Sequence, residues 1–340
     1  MIQHFRFGSP IRTDSVVQDI PVSSDAVPFL TADADGWVYT MAPDAIVYGL
    51  GEMPRGINKR GWHYVANNTD ESHHGENKVS YYGAHNFLLI DGGPGGDLFG
   101  VFVDFPGKVH YDIGYTVHDT LRFATEEPDY ELYILTGADL NDIAHQFRQL
   151  IGRSYIPPKW AFGFAQSRWG YKTAEDVREV ARQYKENDLP LDMICMDIDY
   201  MQDYADFTIN KERFPDLAAL AAELKAQGIR LVPIIDAGVR IDPEEPTCTE
   251  GLEKGYFCKK EDGTPFVAAV WPGKAYFADF LRPEVRAWFG HRYKVLTDCG
   301  IEGFWNDMNE LSWTRCMSCA ARTTSCRRNF SPGSWAGPWG

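Results

Sequence analysis

The sequence predicts an α/β chain in two parts. Residues 1–155 form a β-rich N-terminal domain, and residues 156–310 form four β/α units, the first half of an eight-unit (β/α)8 TIM barrel. Three observations predict it. Apolar residues alternate with period two before Ile156 and follow a helical period after it. Short apolar runs then take turns with helix-like segments, the pattern of parallel β/α connectivity. Three of those runs close on an aspartate, Asp197, Asp236 and Asp307, and barrels of this kind gather their chemistry at strand C-termini.

In chain order, Phe99, Val101, Val103 and Phe105 alternate with other residues, as do Tyr130, Leu132 and Ile134, the period of half-buried strands. Glycine and Asp-Gly clusters at 35–36, 92–96 and 107 punctuate them as turns. The run at 92–96 lacks the Lys-Ser/Thr of a phosphate loop and reads as a hairpin. A helix over 139–151 carries Leu140, Ile143, Phe147 and Leu150 on one face, stops at Gly152, and is expected to link the first domain to the second. Trp160–Ala165 reads as the first barrel strand. Thr173 and Asp176 fit a capping box, followed by a stripe of Val177, Val180, Ala181 and Tyr184. Met193–Ile198 is the second strand. Pro215 suits a first helical turn ahead of Leu217, Leu220, Ala221 and Leu224, with Gly228 as the stop. Leu231–Ile235 is the third strand, Pro283 opens a helix that Gly300 closes, and Gly303–Asp307 is the fourth strand. Long inserts at 200–214 and 237–280 follow strands two and three, on the face where active-site loops belong.

The 340 residues are 44% hydrophobic and 24% charged, as in a soluble globular protein. A formal net charge of −15 argues against a nucleic-acid or anionic-membrane partner. No run of eighteen apolar residues and no basic-then-apolar start is present, so neither a membrane span nor a secretion signal is expected. Without an export signal, Asn67-Asn68-Thr69 reads as a chance glycosylation triplet. Cys195, Cys248, Cys258 and Cys299 are scattered as in a cytoplasmic protein. Residues 311–340 differ: they hold Cys316, Cys319, Cys326 and four Arg, but no Lys and no acid. All 48 acidic and 29 of the 33 basic residues therefore fall in the first 310, a net −19. Cys316-x-x-Cys319 has no second ligand pair with zinc spacing.

Three aspartates at strand ends have three explanations. They hold a divalent metal through hard oxygen ligands, act on a glycosidic bond, or cap the loops that follow them. No His or Glu clusters with them, which weakens the metal option, whereas Trp169, Trp271 and Trp305 sit in or beside strand-end loops where indole faces stack on a pyranose. For any one tryptophan, core packing remains the simpler account.

The sequence Trp305-Asn306-Asp307-Met308-Asn309-Glu310 resembles the signature of glycoside hydrolase family 31, the α-glucosidase family. Tyr48-Gly-Leu-Gly-Glu52, Tyr82-Gly-Ala-His-Asn86, Pro157-Pro-Lys-Trp160, Gln166-Ser-Arg-Trp-Gly-Tyr171 and Asp197-Ile-Asp-Tyr-Met201 resemble the same family in the same order, over residues 1–310. The resemblance implies an N-terminal β-sandwich and makes Asp307 the nucleophile of a retaining mechanism. Asp197, with Ile198 beside it, would hold the sugar hydroxyls. Trp169, Trp271, Trp305 and Met308 would line the pocket, Asp236 would contribute to it, and Asp70 on the loop 67–71 would reach its mouth. Hydrogen bonds from Asn306 or Asn309 would help to keep the nucleophile ionised. An oligosaccharide or α-glucoside is the expected partner, no cofactor is expected, and an oligomer is compatible with the sequence.

After Glu310 the resemblance stops. The family continues with a proline and the later barrel strands, which carry its proton donor and its substrate-binding arginine and histidine; here Leu311-Ser-Trp-Thr-Arg leads into the Arg/Cys/Trp-rich segment. That segment reads as a frame-shifted tail. Retaining hydrolysis needs two carboxyl groups, so the truncated chain is expected to be inactive, with the open edges of a half barrel favouring aggregation. A non-catalytic sugar-binding fragment and a metal-dependent barrel enzyme using Asp197, Asp236 and Asp307 are the alternatives.

Overall fold

A computed structural model describes residues 1–308; Asn309, Glu310 and the segment 311–340 lie outside the described residues. The chain divides between Ser154 and Tyr155 into two compact units.

The first unit holds two five-stranded antiparallel sheets. In spatial order one runs Ile2–Phe7, Tyr130–Thr136, Leu98–Asp104, Ala84–Asp91, Ile46–Gly51. The other runs Leu30–Asp33, Gly36–Thr40, Thr120–Thr125, Val109–Ile113, Trp62–Ala66. Val47, Leu88, Phe99 and Val101 of the one meet Tyr39, Tyr64, Ile113 and Phe123 of the other in a single apolar core, which makes a β-sandwich. The glycine run at 92–96 is a hairpin turn, closed by Gly92 N–H donating to the Asp97 carbonyl at 2.9 Å. Alternation is broken in Leu98–Asp104, where Phe102 is buried as well as its neighbours. The cause is the helix Leu140–Ile151, which lies on the other face of this sheet through Ile143, Leu150 and Phe147. It therefore packs on the first unit's own sheet. Gly100 permits that approach: a Cβ there would stand 2.8 Å from Ile143 Cγ2.

The second unit is built on a four-stranded parallel sheet in the order Ala165–Arg168, Met193–Met196, Arg230–Asp236, Trp305–Asp307, half of an eight-stranded barrel. The first strand starts later than the apolar run Trp160–Ala165 suggests. Lys159–Phe162 is instead a 3-10 turn, and pairing begins at Ala165. Polar Gln166 is tolerated in the strand because its amide donates to Tyr171 Oη at 3.0 Å and accepts from Tyr184 Oη at 2.5 Å.

The helix Ala174–Glu186 opens with the expected capping box between Thr173 and Asp176. The next helix, Leu217–Ala226, is capped by Asp216, so Pro215 precedes the cap instead of occupying the first turn. Pro283 does stand at the start of Pro283–Arg292. The insert after the third strand is ordered: a helix, Pro246–Glu253, and a three-stranded antiparallel sheet of Gly238–Arg240, Gly273–Phe277 and Val267–Val270. Its turn signals are spread over forty-odd residues, and its strands are too short for a period to show. Among the described residues, no helix is long and apolar enough to cross a membrane.

Candidate active site

Parallel strands in register direct facing residues to the same side of a sheet. Cys195 faces Val232, Ile234 faces Trp305, and Asp236 faces Asp307. By the two-residue period these side chains share one face, and Asp197, two residues after Cys195, continues it. The opposite face carries Ile194, Met196, Leu231 and Ile235, all buried in the core shared with the helices. The strands thus sort the sequence into an apolar side that holds the helices and a side that ends in three carboxyl groups.

These three aspartates differ in their surroundings. Asp197 is the cap of the 3-10 turn Ile198–Tyr200 and accepts the Ile198 N–H at 2.8 Å. The capping explanation is therefore realised at this position. Burial, followed by the negative charges of Asp307 and Asp199, raises its carboxyl, while the Ile198 N–H opposes the rise. Ile198 itself is buried at 4% exposure.

Asp236 is 3% exposed, and among the described residues neither of its carboxyl oxygens has a hydrogen-bond partner. Burial first, and then the charges of Asp307 and Asp197, push its carboxyl up. Its backbone N–H donates to Asp206 Oδ1 at 2.9 Å. Asp206 is likewise buried, and burial plus the charge of Asp236 hold it well above the usual carboxylate range, against the help of that N–H.

Asp206 was not among the residues read from the sequence. It lies in the insert after the second strand, and the only available signal was an acid set between Ala205 and Phe207, both buried. The backbone around it is wound unusually: Asp203, Tyr204 and Phe207 have φ of 49°, 60° and 62°. Non-glycine residues in this region cost on the order of 1–3 kcal/mol each and persist where the surroundings over-determine them.

Asp307 ends the strand Trp305–Asp307, and Met308 directly after it has φ 56°, a left-handed turn that ends the extended backbone at that point. Trp305 is half-buried and packs on the barrel core. Asn306 was expected to donate to the nucleophile. Its Oδ1 instead accepts from Tyr293 Oη at 2.6 Å, because adjacent strand residues point to opposite faces. The other expected donor, Asn309, lies outside the described residues. Trp169 follows the first strand directly and is 64% exposed. Trp271 occupies the turn between Val267–Val270 and Gly273–Phe277 and is 54% exposed, so the insert carries it on a hairpin tip. Asp70 belongs to the first unit, where it accepts from Tyr82 Oη at 2.5 Å. The structure thus brings Asp197, Asp236 and Asp307 together and adds Asp206. Among the described residues, no three His, Cys, Asp or Glu side chains converge as a metal-ligand set.

Two family models match the chain. The glycosyl hydrolase 31 N-terminal galactose mutarotase-like domain covers residues 21–112, and the glycosyl hydrolases family 31 TIM-barrel domain covers residues 154–335. Alpha-glucosidase 2 of Bacillus thermoamyloliquefaciens is 42% identical over 267 residues, 78% of this chain and 33% of that protein. Alpha-xylosidase 1 of Arabidopsis thaliana is 32% identical, over 80% of this chain and 30% of its own length. A family 31 dextranase of Flavobacterium johnsoniae, solved in complex with isomaltotriose, superposes with a TM-score of 0.75 at 26% identity and covers 86% of this chain and 36% of its own. The chain thus spans about a third of the length of these relatives. With the barrel model matching more than half of its residues, the chain belongs to glycosyl hydrolase family 31.

Proposed function

We propose that this chain carries the nucleophile side of an α-glucosidase site that hydrolyses terminal α-linked glucose with retention. The observation that carries the reading is the placement of Asp307. It ends a barrel strand within the Trp-Asn-Asp-Met sequence, next to a second strand that ends in Asp236. In this reading the Asp307 carboxylate attacks the anomeric carbon as the bond to the aglycone oxygen breaks, that oxygen leaving with a proton from an acid carboxyl, and water then opens the glycosyl ester. Asp197 accepts hydrogen bonds from sugar hydroxyls beside Ile198, and Asp236 completes the floor. Trp169, Trp271, Trp305 and Met308 supply the walls.

The substrate class follows the relatives, one an alpha-glucosidase and another a dextranase crystallised with isomaltotriose. Among the described residues, Cys195, Cys248 and Cys299 are free thiols, which suits a reducing compartment such as the cytoplasm.

Retaining hydrolysis also needs a protonated carboxyl about 5–5.5 Å from the nucleophile. The resemblance puts that donor on a later strand, so we expect the 340 residues alone to lack turnover on an aryl α-glucoside. Clear turnover that Asp307→Ala abolishes would overturn this expectation. A glucosyl fluoride carrying a second fluorine on the ring needs no proton donor for its first step. Mass spectrometry should then find one fluoroglucosyl unit on the peptide that contains Asp307, and an adduct on any other carboxylate would sink the assignment.

A further inference from the structure

We propose that Asp206 and Asp236 share a proton beneath the pocket, so that the pair carries at most one negative charge and Asp236 is a positioning residue beside Asp307; its catalytic meaning rests on the reading of Asp307 as nucleophile. The geometry comes first. Asp236 and Asp307 are paired directly across neighbouring parallel strands and point to one face. The Asp236 backbone N–H donates to Asp206 Oδ1, which ties the insert's acid to the end of the strand. Both groups are more than nine-tenths buried. Among the described residues, Asp206 Oδ2 and both oxygens of Asp236 have no hydrogen-bond partner, a state that buried ionised carboxylates do not sustain.

The groups facing the pair from every side are acids and phenols. Asp197 and Asp307 act on Asp236 from the adjoining strands, and Glu245 acts on Asp206 from the insert. Tyr200 and Tyr293 feel the charge of Asp206, and Tyr200 Oη is already committed to the Ile234 carbonyl at 2.7 Å. Among the described residues, no Lys, Arg or His forms an ion pair with either acid. Two buried carboxyls without a cation answer this by keeping one proton between them, since like charges in such a site cannot both form. The direction of both shifts agrees. The consequence for Asp307 is electrostatic. With the proton retained, it adjoins a pair that carries at most one negative charge. When the pair loses the proton, a second negative charge appears at the neighbouring strand end.

The test is difference infrared spectroscopy of the full 340-residue chain labelled with carbon-13 at the aspartate carboxyls, read at about pH 6. At that pH ordinary aspartates are ionised. The expected spectrum contains a protonated-carboxyl band whose midpoint Asp206→Asn and Asp236→Asn each shift to lower pH. Asp104 of the first unit, also raised to about 7 by burial, contributes a similar band, so all spectra are compared in an Asp104→Asn background. Asp307→Asn should lower the midpoint of the pair by removing a charge, a change readable whether or not Asp307 attacks a sugar. A wild-type band that vanishes by about pH 5 overturns the proposal even if a variant fails to fold. A midpoint that neither Asp206→Asn nor Asp307→Asn moves also overturns it.

Discussion

Asp236 and Asp307 set the electrostatics of the strand ends. Neighbouring strands stand about 4.8 Å apart, and two unit charges at that spacing repel by roughly 3 kcal/mol at an effective dielectric near 20. Burial of Asp236 is the larger cost of ionising it and this repulsion adds to it; together they appear as a dependence of stability on pH. The folded carboxyl of Asp236 is raised to about 7, so between the ordinary carboxylate range and pH 7 the folded chain binds more protons than the unfolded one. Stability from this source is complete below the unfolded value and is lost as pH rises through about 7. Urea midpoints at pH 5 and pH 8 should show the loss, on the order of a few kcal/mol, and Asp236→Asn should reduce it, leaving the share that the likewise raised Asp104 contributes. A wild-type midpoint that rises between those pH values would contradict the assignment. Tyr293 offers a second residue-scale prediction. Tyr293→Phe removes the donor to Asn306 and should lower stability by about 1 kcal/mol without moving the pH dependence.

Two elements make separate predictions. Thr173 and Asp176 satisfy two orphan N–H groups reciprocally at the start of the helix Ala174–Glu186, the Thr173 N–H donating to Asp176 Oδ2 at 2.8 Å. Thr173→Ala should cost about 1 kcal/mol by urea denaturation. In the first unit, Gly100→Val would push the helix Leu140–Ile151 off its sheet, at a loss of about 1–3 kcal/mol typical of overpacking. A smaller loss would mean that Ile143 has room to yield. These elements also show what was legible in the sequence. The capping box, the stripe behind it, the hairpin at 92–96 and the aspartate at the end of each of three barrel runs were all readable, because local chemistry fixes them. The start of the first barrel strand was not, since main-chain pairing with Met193–Met196 selects it and its polar side chain finds distant tyrosines. Asp206 was hidden for a similar reason. Its importance comes from one backbone N–H thirty residues away.

At the scale of the whole molecule, the described sheet of the second unit ends at Ala165–Arg168, directly preceded by Phe162 and Phe164, which are 73% and 50% exposed. An unpaired strand beside apolar side chains templates association. The 340 residues alone should show concentration-dependent self-association by sedimentation velocity, and Phe162→Lys should reduce it. A monomer at every concentration would count against this. The ordered insert has a different kind of consequence. Gly238–Arg240 continues from the strand that ends in Asp236, and the hairpin it pairs with carries Trp271 at a turn outside the ladder. A turn tolerates exchange of residues far better than a strand does. Mutation can therefore rework the Trp271 tip while the carboxyl-bearing strand keeps its register, so this corner of the unit is free to vary over generations without rebuilding the barrel.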